Sequence, residues 1–185
     1  MSALVWSDAL VLSMPVMDHT HQEFVELLAL VQQADDITLM GHWQALIDHT
    51  VGHFGQEDDW MQATGFARGN CHSTQHAVVL EVMRDSARRG AQGELDWVRR
   101  IATELADWFP HHAQTMDAGL ALHIKSVGYD PETGLLQEAA ALPAQAITGC
   151  GSNSCHDKAA ANDTQAPQHA EAANEPVVEV GESLI

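Results

Sequence analysis

Apolar residues recur at alternating steps of three and four along four stretches of the chain, the period of amphipathic α-helices. The first predicted helix runs from about His19 to Gln33, with Asp18 as its N-cap. Its inward positions are Met17, His21, Phe24, Leu28 and Val31. Three further helices are predicted over 38–64, from 71 to near 90, and from 94 to about 126. The pattern therefore predicts an all-α protein.

The segments between these helices are short, which favours antiparallel neighbours in an up-down-up-down four-helix bundle. Residues 1–17, with Trp6 and Pro15, are predicted to form an extended arm over the bundle. From about residue 131 the composition turns rich in Ala and acidic residues and loses its periodicity, which is typical of a disordered tail. We therefore divide the chain into a helical domain, 1–130, and a disordered C-terminal tail, 131–185.

The fourth helix has an irregular step between two polar residues, His112 and Asp117. On a regular helix five residues turn through about 500°, so these side chains would point about 140° apart. Either one inserted residue forms a π-bulge, or the two side chains approach a common space from opposite flanks. Pro110 lies just upstream and cannot donate a backbone hydrogen bond, so a local distortion is expected.

Charge and cysteine content narrow the classes of partner. Eight Lys and Arg against 26 Asp and Glu give a net charge of −18, which argues against nucleic acid and anionic membranes. No apolar run approaches the about 20 residues needed for membrane insertion. The three cysteines, Cys71, Cys150 and Cys155, are an odd number in a chain without an evident signal peptide, so we expect a cytoplasmic protein.

Histidines and carboxylates stand at helical spacings that indicate a metal site. His53 and Glu57 are four residues apart, as are His72 and His76, so each pair places two side chains on one helix face. The other helices add further candidates at matching depth. The complete candidate set is His21, His53, Glu57, His72, His76, His112 and Asp117.

Seven such ligands exceed what one metal ion takes, so the set predicts two. If both carboxylates and a hydroxide bridge the pair, the five histidines divide three and two, which leaves one metal ion with an open position. Imidazole and carboxylate ligands suit iron, although the same ligands also accept manganese. No Glu stands three residues before a His, unlike the pattern of ferritin-like oxidases, so reversible binding of a small molecule is favoured over oxidation of a substrate.

These residues resemble those of bacterial hemerythrins over roughly residues 4–127. The resemblance is carried by Trp6, Met17-Asp18 before His21, the block from His53-Phe54 to Glu57-Asp58 and Met61, the His72 and His76 pair, and Trp108-Phe109 before His112 and Asp117. It implies that His72, His76 and His112 hold one iron, that His21 and His53 hold the other, and that Glu57 and Asp117 bridge them.

The resemblance also implies reversible dioxygen binding for oxygen transport, storage or delivery in a bacterial cell, without enzymatic activity. A di-iron peroxidase or nitric oxide reductase is an alternative. A third possibility is an oxygen- or redox-sensing interaction module that engages an unknown protein partner through its tail.

Several residues near the candidate set are expected to have other roles. Where the family usually has a second Glu, this chain has Asp58, which we expect to be solvated, and His111 before His112 is expected at the surface. Cys71 and the pair Cys150 and Cys155 are interpreted as inert thiols. The histidines assigned no metal are His19, His42, His49 and His123, of which His42 and His123 are expected to be exposed.

Overall fold

Four helical rods form the body of the protein in a computed structural model that describes residues 4–137 and 142–149. The first three rods are α1 (Pro15–Gln33), α2 (Leu39–Ala63) and α3 (Cys71–Gly90). The fourth consists of α4 (Leu95–His112), a π-helical turn (Ala113–Asp117) and α5 (Ala118–Ser126). Each rod contacts the next, and α1 closes the bundle against α4. The predicted antiparallel four-helix bundle is confirmed.

The N-terminal arm is shorter than predicted, because α1 begins at Pro15 rather than His19. Proline suits the first position of a helix, where its missing N–H would have no partner within the helix. Asp18 is therefore not the N-cap. Its carboxylate instead accepts hydrogen bonds from the backbone N–H groups of Leu12 and Met14, at 2.7 and 3.1 Å. Within the arm, a 3-10 turn at Asp8–Leu10 directs Leu10 into the core.

The core consists of two apolar clusters with a polar layer between them. Along α1, the buried His21 lies between Met17 of one cluster and Phe24 of the other. The fourth rod repeats this order, since Asp117 lies between Ala113 and Leu120. The apolar stripes therefore fix the helix faces, and the polar side chains are held at one depth of the bundle.

After α5 the chain remains structured in part of the predicted tail. Strands β1 (Tyr129–Asp130) and β2 (Leu135–Leu136) pair as an antiparallel hairpin across the proposed boundary at 130. Residues 142–149, here called the docked segment, run beside the loop between α2 and α3. Ile147 accepts a hydrogen bond from the Ala67 N–H at 2.8 Å and donates one to the Gly65 carbonyl at 3.0 Å. Parts of the predicted tail are therefore structured. The two-part division stays a prediction, and residues 150–185, with Cys150 and Cys155, lie outside the described ranges.

Glycine at position 65 is required both by the end of α2 and by the docked segment. Gly65 has φ +98°, and a Cβ there would come within 2.7 Å of Pro143. The N–H of Phe66 bonds back to the Met61 carbonyl at 2.9 Å, which closes the end of the helix. Gly55 lies within α2, and nothing would contact a Cβ there within 4 Å.

Substituting these two glycines by alanine should therefore have opposite effects on stability. Gly65→Ala is expected to lower the free energy of unfolding by about 1–2 kcal/mol, because a side chain disfavours the left-handed conformation and would displace Pro143. Gly55→Ala should raise it by about 0.5–1 kcal/mol, since alanine favours the helix. Urea unfolding of both variants checks the pair, and a neutral Gly65→Ala would contradict the docking contact.

None of the described helices contains an apolar stretch that is long enough to cross a bilayer.

Candidate metal centre

The polar layer brings all seven predicted site residues together. They come from α1, α2, α3 and the fourth rod, and each side chain is almost fully withdrawn from solvent. The members are His21, His53, Glu57, His72, His76, His112 and Asp117, with at most 3% relative exposure. Their donor atoms form two groups that share Glu57. One contains Glu57, His72, His76, His112 and Asp117; the other contains His21, His53 and Glu57.

Local sequence features place these side chains. Asn70 is the N-cap of α3, and its side-chain oxygen accepts from the N–H groups of His72 and Ser73 at 2.9 and 3.0 Å. The cap fixes the start of α3, so His72 and His76 lie on its first two turns, above one another.

The π-helical turn resolves the irregular step in the fourth rod. Residues 113–117 form one wide turn directly after Pro110 and His112, so His112 and Asp117 both face the layer although they are five residues apart. Of the two arrangements considered, the π-bulge is confirmed. Such turns are rare and concentrate at functional sites.

Each carboxylate presents one oxygen to each group of histidines. Glu57 Oε1 lies 3.1 Å from His53 Nε2, whereas Oε2 lies 3.3 Å from His76 Nε2. Asp117 Oδ2 lies 3.2 Å from His21 Nε2, and Oδ1 lies 3.0 Å from His72 Nε2 and 3.1 Å from His112 Nε2. This division is the arrangement of a carboxylate that bridges two cations.

The contacts inside the layer fit a metal better than they fit hydrogen bonds. Despite these short distances, several facing atoms are buried without a hydrogen-bond partner among the described residues. They are the Nε2 atoms of His21, His72, His76 and His112, both Asp117 oxygens and Glu57 Oε2. Lone pairs that face one another in a dry space need a proton or a metal ion between them. Neighbouring ligands at about 2.0–2.2 Å from one metal ion are themselves about 3 Å apart, which agrees with the observed separations.

Two residues outside the candidate set contact its histidines. Asp58 Oδ1 lies 3.2 Å from His76 Nδ1, and Gln75 Oε1 lies 2.6 Å from His112 Nδ1. Asp58 is solvated as predicted, but the prediction did not include its contact with His76. Its side chain is 45% exposed, but it faces α3 as well as water. Sequence reasoning missed Gln75 because only the packing of α3 on α4 brings it to His112.

Aromatic rings cover the histidines. Phe54 stacks on His76 with a centroid distance of 3.9 Å, and Trp108 stacks on His112 at 4.4 Å. Phe109 contacts His21 edge-on at 5.2 Å. These three rings belong to the predicted motif and separate the layer from the apolar clusters.

The buried carboxylates set the charge of the histidines in the metal-free protein. Burial alone would lower the pKa of His21, but Asp117 and Glu57 raise it to about 9. At His72, burial again lowers the pKa, but Asp117 and Glu57 raise it to about 9. Although burial favours the neutral acids, the facing histidines hold the pKa values of Glu57 and Asp117 well below their usual range.

Metal loading should therefore release protons. Because His21 and His72 are protonated below a pKa of about 9 and the pKa of His76 is also raised, we expect loading at pH 7 to release at least about two protons per chain. The metal-free fold gains stability from these protons below the ordinary pKa of 6.5 and loses it as pH rises through about 9. A pH indicator in weakly buffered solution measures the release. Equal release at pH 7 and pH 10 would contradict this charge assignment.

The remaining histidines lie outside the layer. His111 is exposed, as predicted, and His19 is exposed as well. His49 Nε2 lies 3.1 Å from the Thr20 carbonyl oxygen, so it links α2 to α1. His123 is half-buried rather than exposed, with Nε2 2.8 Å from the Thr64 carbonyl oxygen, and His42 is also half-buried. The expectation that these last two are exposed was wrong, and for His123 the reason is its packing against the end of α2.

The sequence of this chain is similar to those of known proteins. The family model of the hemerythrin HHE cation binding domain matches residues 14–122. A bacteriohemerythrin of Ralstonia nicotianae is 36% identical over 130 residues, which cover 70% of this chain and 95% of that protein. Bacteriohemerythrins of Pseudomonas paraeruginosa and Stenotrophomonas maltophilia are 27% and 26% identical, over 64% and 68% of this chain and 80% and 84% of their own lengths. No solved structure matches the chain significantly. With its bundle, its buried layer of histidines and carboxylates and these relatives, the chain belongs to the hemerythrin family.

Proposed function

We propose that this protein binds dioxygen reversibly at a pair of iron ions, for oxygen storage, transport or delivery in the cytoplasm of a bacterial cell. The observation that carries the proposal is the division of each buried carboxylate between two groups of histidines. When bound there, two iron(II) ions supply the redox chemistry by which dioxygen is held and released.

The proposed ligands divide unequally. His72, His76 and His112 are assigned to one iron, His21 and His53 to the other, and Glu57 and Asp117 to both. The two groups of donor atoms support this division of the histidines and the sharing of Glu57. The sharing of Asp117 is supported by its Oδ2, which lies 3.2 Å from His21 Nε2. An ion held by three histidines, both carboxylates and a hydroxide would have no open position, whereas an ion held by two histidines and the same oxygens would keep one. The side of His21 and His53 is therefore the proposed dioxygen site.

The proposed dioxygen site is also buried away from water. His21 and His53 are 0% and 3% exposed, and Phe109 covers His21 on the side of the apolar cluster, with Phe24 stacked on Phe109. An apolar cover excludes water and limits proton access, which favours release of intact dioxygen over side reactions. The histidine-rich donor set agrees with this, since it offers few anionic oxygens to stabilise highly oxidised iron.

Aerating the reduced protein tests the proposal. We expect anaerobically reconstituted protein with two irons per chain to develop a visible charge-transfer band in air and to lose it under argon over repeated cycles. His53→Ala should abolish the band, because it removes a ligand of the open iron. His49→Ala, which alters a half-buried histidine outside the layer, should leave the band and the iron content unchanged.

Other outcomes would contradict reversible binding. A two-iron protein without a reversible band would overturn the proposal. Rapid oxidation accompanied by turnover of added peroxide or nitric oxide would indicate the enzymatic alternative. Manganese rather than iron in the native protein would exclude the proposed cofactor.

A further inference from the structure

Two side chains outside the proposed ligand set accept hydrogen bonds from ligand histidines, and both of these histidines belong to the same half of the proposed metal pair. We propose that Asp58 and Gln75 are positioning residues that orient His76 and His112, making the three-histidine metal the more tightly held of the two and tuning its reduction potential. The inference rests on the proposed ligand assignment and concerns residues outside that set.

Asp58 determines which nitrogen of His76 faces the layer. A carboxylate can only accept hydrogen bonds, so His76 Nδ1–H donates to Asp58 Oδ1 across 3.2 Å. The lone pair of the ring is then on Nε2, which lies 3.3 Å from Glu57 Oε2. Phe54 stacks on the same ring at an interplanar angle of 6°, so its tilt is fixed as well.

Gln75 has the same relation to His112, from a different helix. Its amide oxygen lies 2.6 Å from Nδ1 of His112, so the ring N–H of α4 donates to a side chain of α3. His112 Nε2 then faces Asp117 Oδ1 at 3.1 Å. The bond also ties together the two rods that carry the three-histidine side.

The other side of the pair lacks this support within the described residues. Neither Nδ1 of His21 nor Nδ1 of His53 has a hydrogen-bond partner there, whereas on the three-histidine side two of the three outer nitrogens are bonded and only that of His72 is not. A hydrogen bond to the outer nitrogen of a ligand histidine fixes the ring and increases its basicity, and its loss typically costs about 10–100-fold in metal affinity. The three-histidine metal should therefore be the slower to leave.

The two positioning residues differ in charge, and this gives a test that does not depend on dioxygen. Asp58 is anionic, so its bond to His76 adds electron density to the metal and lowers the reduction potential, whereas the neutral Gln75 does so less. Asp58→Asn and Gln75→Glu exchange these properties. If the two residues had merely structural roles, removing the charge of Asp58 and adding a charge at Gln75 would not shift the reduction potential in opposite directions.

Metal release measures the effect on affinity. In zinc-loaded protein treated with a chelator, Asp58→Ala and Gln75→Ala should each release one metal ion about 10–100 times faster than the wild type. Asp58→Glu should retain slow release, because it keeps the carboxylate. Matched controls are Asp59→Asn and Gln62→Ala, exposed positions on α2 that contact none of the proposed ligands, and both should behave as the wild type.

Redox titration of the iron-loaded protein measures the effect of charge. We expect a higher midpoint potential in Asp58→Asn and a lower one in Gln75→Glu. Unchanged release and unchanged potentials in a protein that holds two metal ions would overturn this inference alone. Failure of the wild type to hold two metal ions would overturn it together with the proposed function.

Discussion

Glu57→Gln is expected to reduce the metal content of the purified protein from two ions per chain to less than one. The substitution keeps the size of the side chain but removes its charge. Glu57 is the residue shared by both groups of donor atoms, with one oxygen directed at His53 and the other at His76. Losing it should therefore weaken both metal positions at once. Metal analysis after desalting, with circular dichroism to verify the fold, measures the result.

An exposed glutamate serves as the control for charge. Glu104 lies on α4 with a side chain 66% exposed and a distant partner in Arg100, at 4.0 Å. Glu104→Gln should keep two metal ions per chain. By contrast, His76→Ala removes a ligand from one side and should lower the content well below two while retaining some metal. Full metal occupancy in folded Glu57→Gln would refute the shared role of this carboxylate.

Sequence alone predicted the layer because each of its members lies on an apolar stripe. His21 continues the spacing of Met17 and Phe24, and Asp117 continues that of Leu120 and Ile124, so burying the stripe buries the polar residue too. The spacing of the apolar residues therefore predicted which face of each helix is buried and which polar side chains lie on that face. The five-residue step at His112 indicated a distortion, but the sequence left open whether a π-bulge or opposite flanks would result.

What the sequence did not predict depends on contacts between distant elements. Asp58 lies about 100° from Glu57 round α2, and its role follows only from the position of His76 on α3. The docked segment is short and has no helical or strand periodicity. Its backbone hydrogen bonds to Gly65 and Ala67 hold it in place, and Ile147 packs against the apolar cluster that contains Met17 and Leu120. Neither contact has a local signature in the sequence.

Phe109→Ala is expected to destabilise the protein and to shorten the life of the dioxygen-bound state. Phe109 is 1% exposed, stacks on Phe24 at 4.5 Å and contacts His21. Removing its ring from the core should cost about 3–5 kcal/mol. The resulting space would admit water beside the proposed open iron. Conversion to an oxidised form that no longer binds dioxygen should then accelerate on the order of tenfold, equivalent to about 1.4 kcal/mol in the barrier.

A second core substitution separates these two effects. Met83 is 0% exposed and lies about 10 Å along α3 from His76, so Met83→Ala should cost about 2–5 kcal/mol without opening the site. Its oxidation rate, followed by the decay of the visible band in air, should equal that of the wild type. If both variants oxidise equally fast, general loosening of the bundle governs the decay. If only Phe109→Ala oxidises faster, the ring of Phe109 itself keeps water from His21. The apolar cluster that contains Phe24 and Phe109 then contributes directly to the retention of dioxygen.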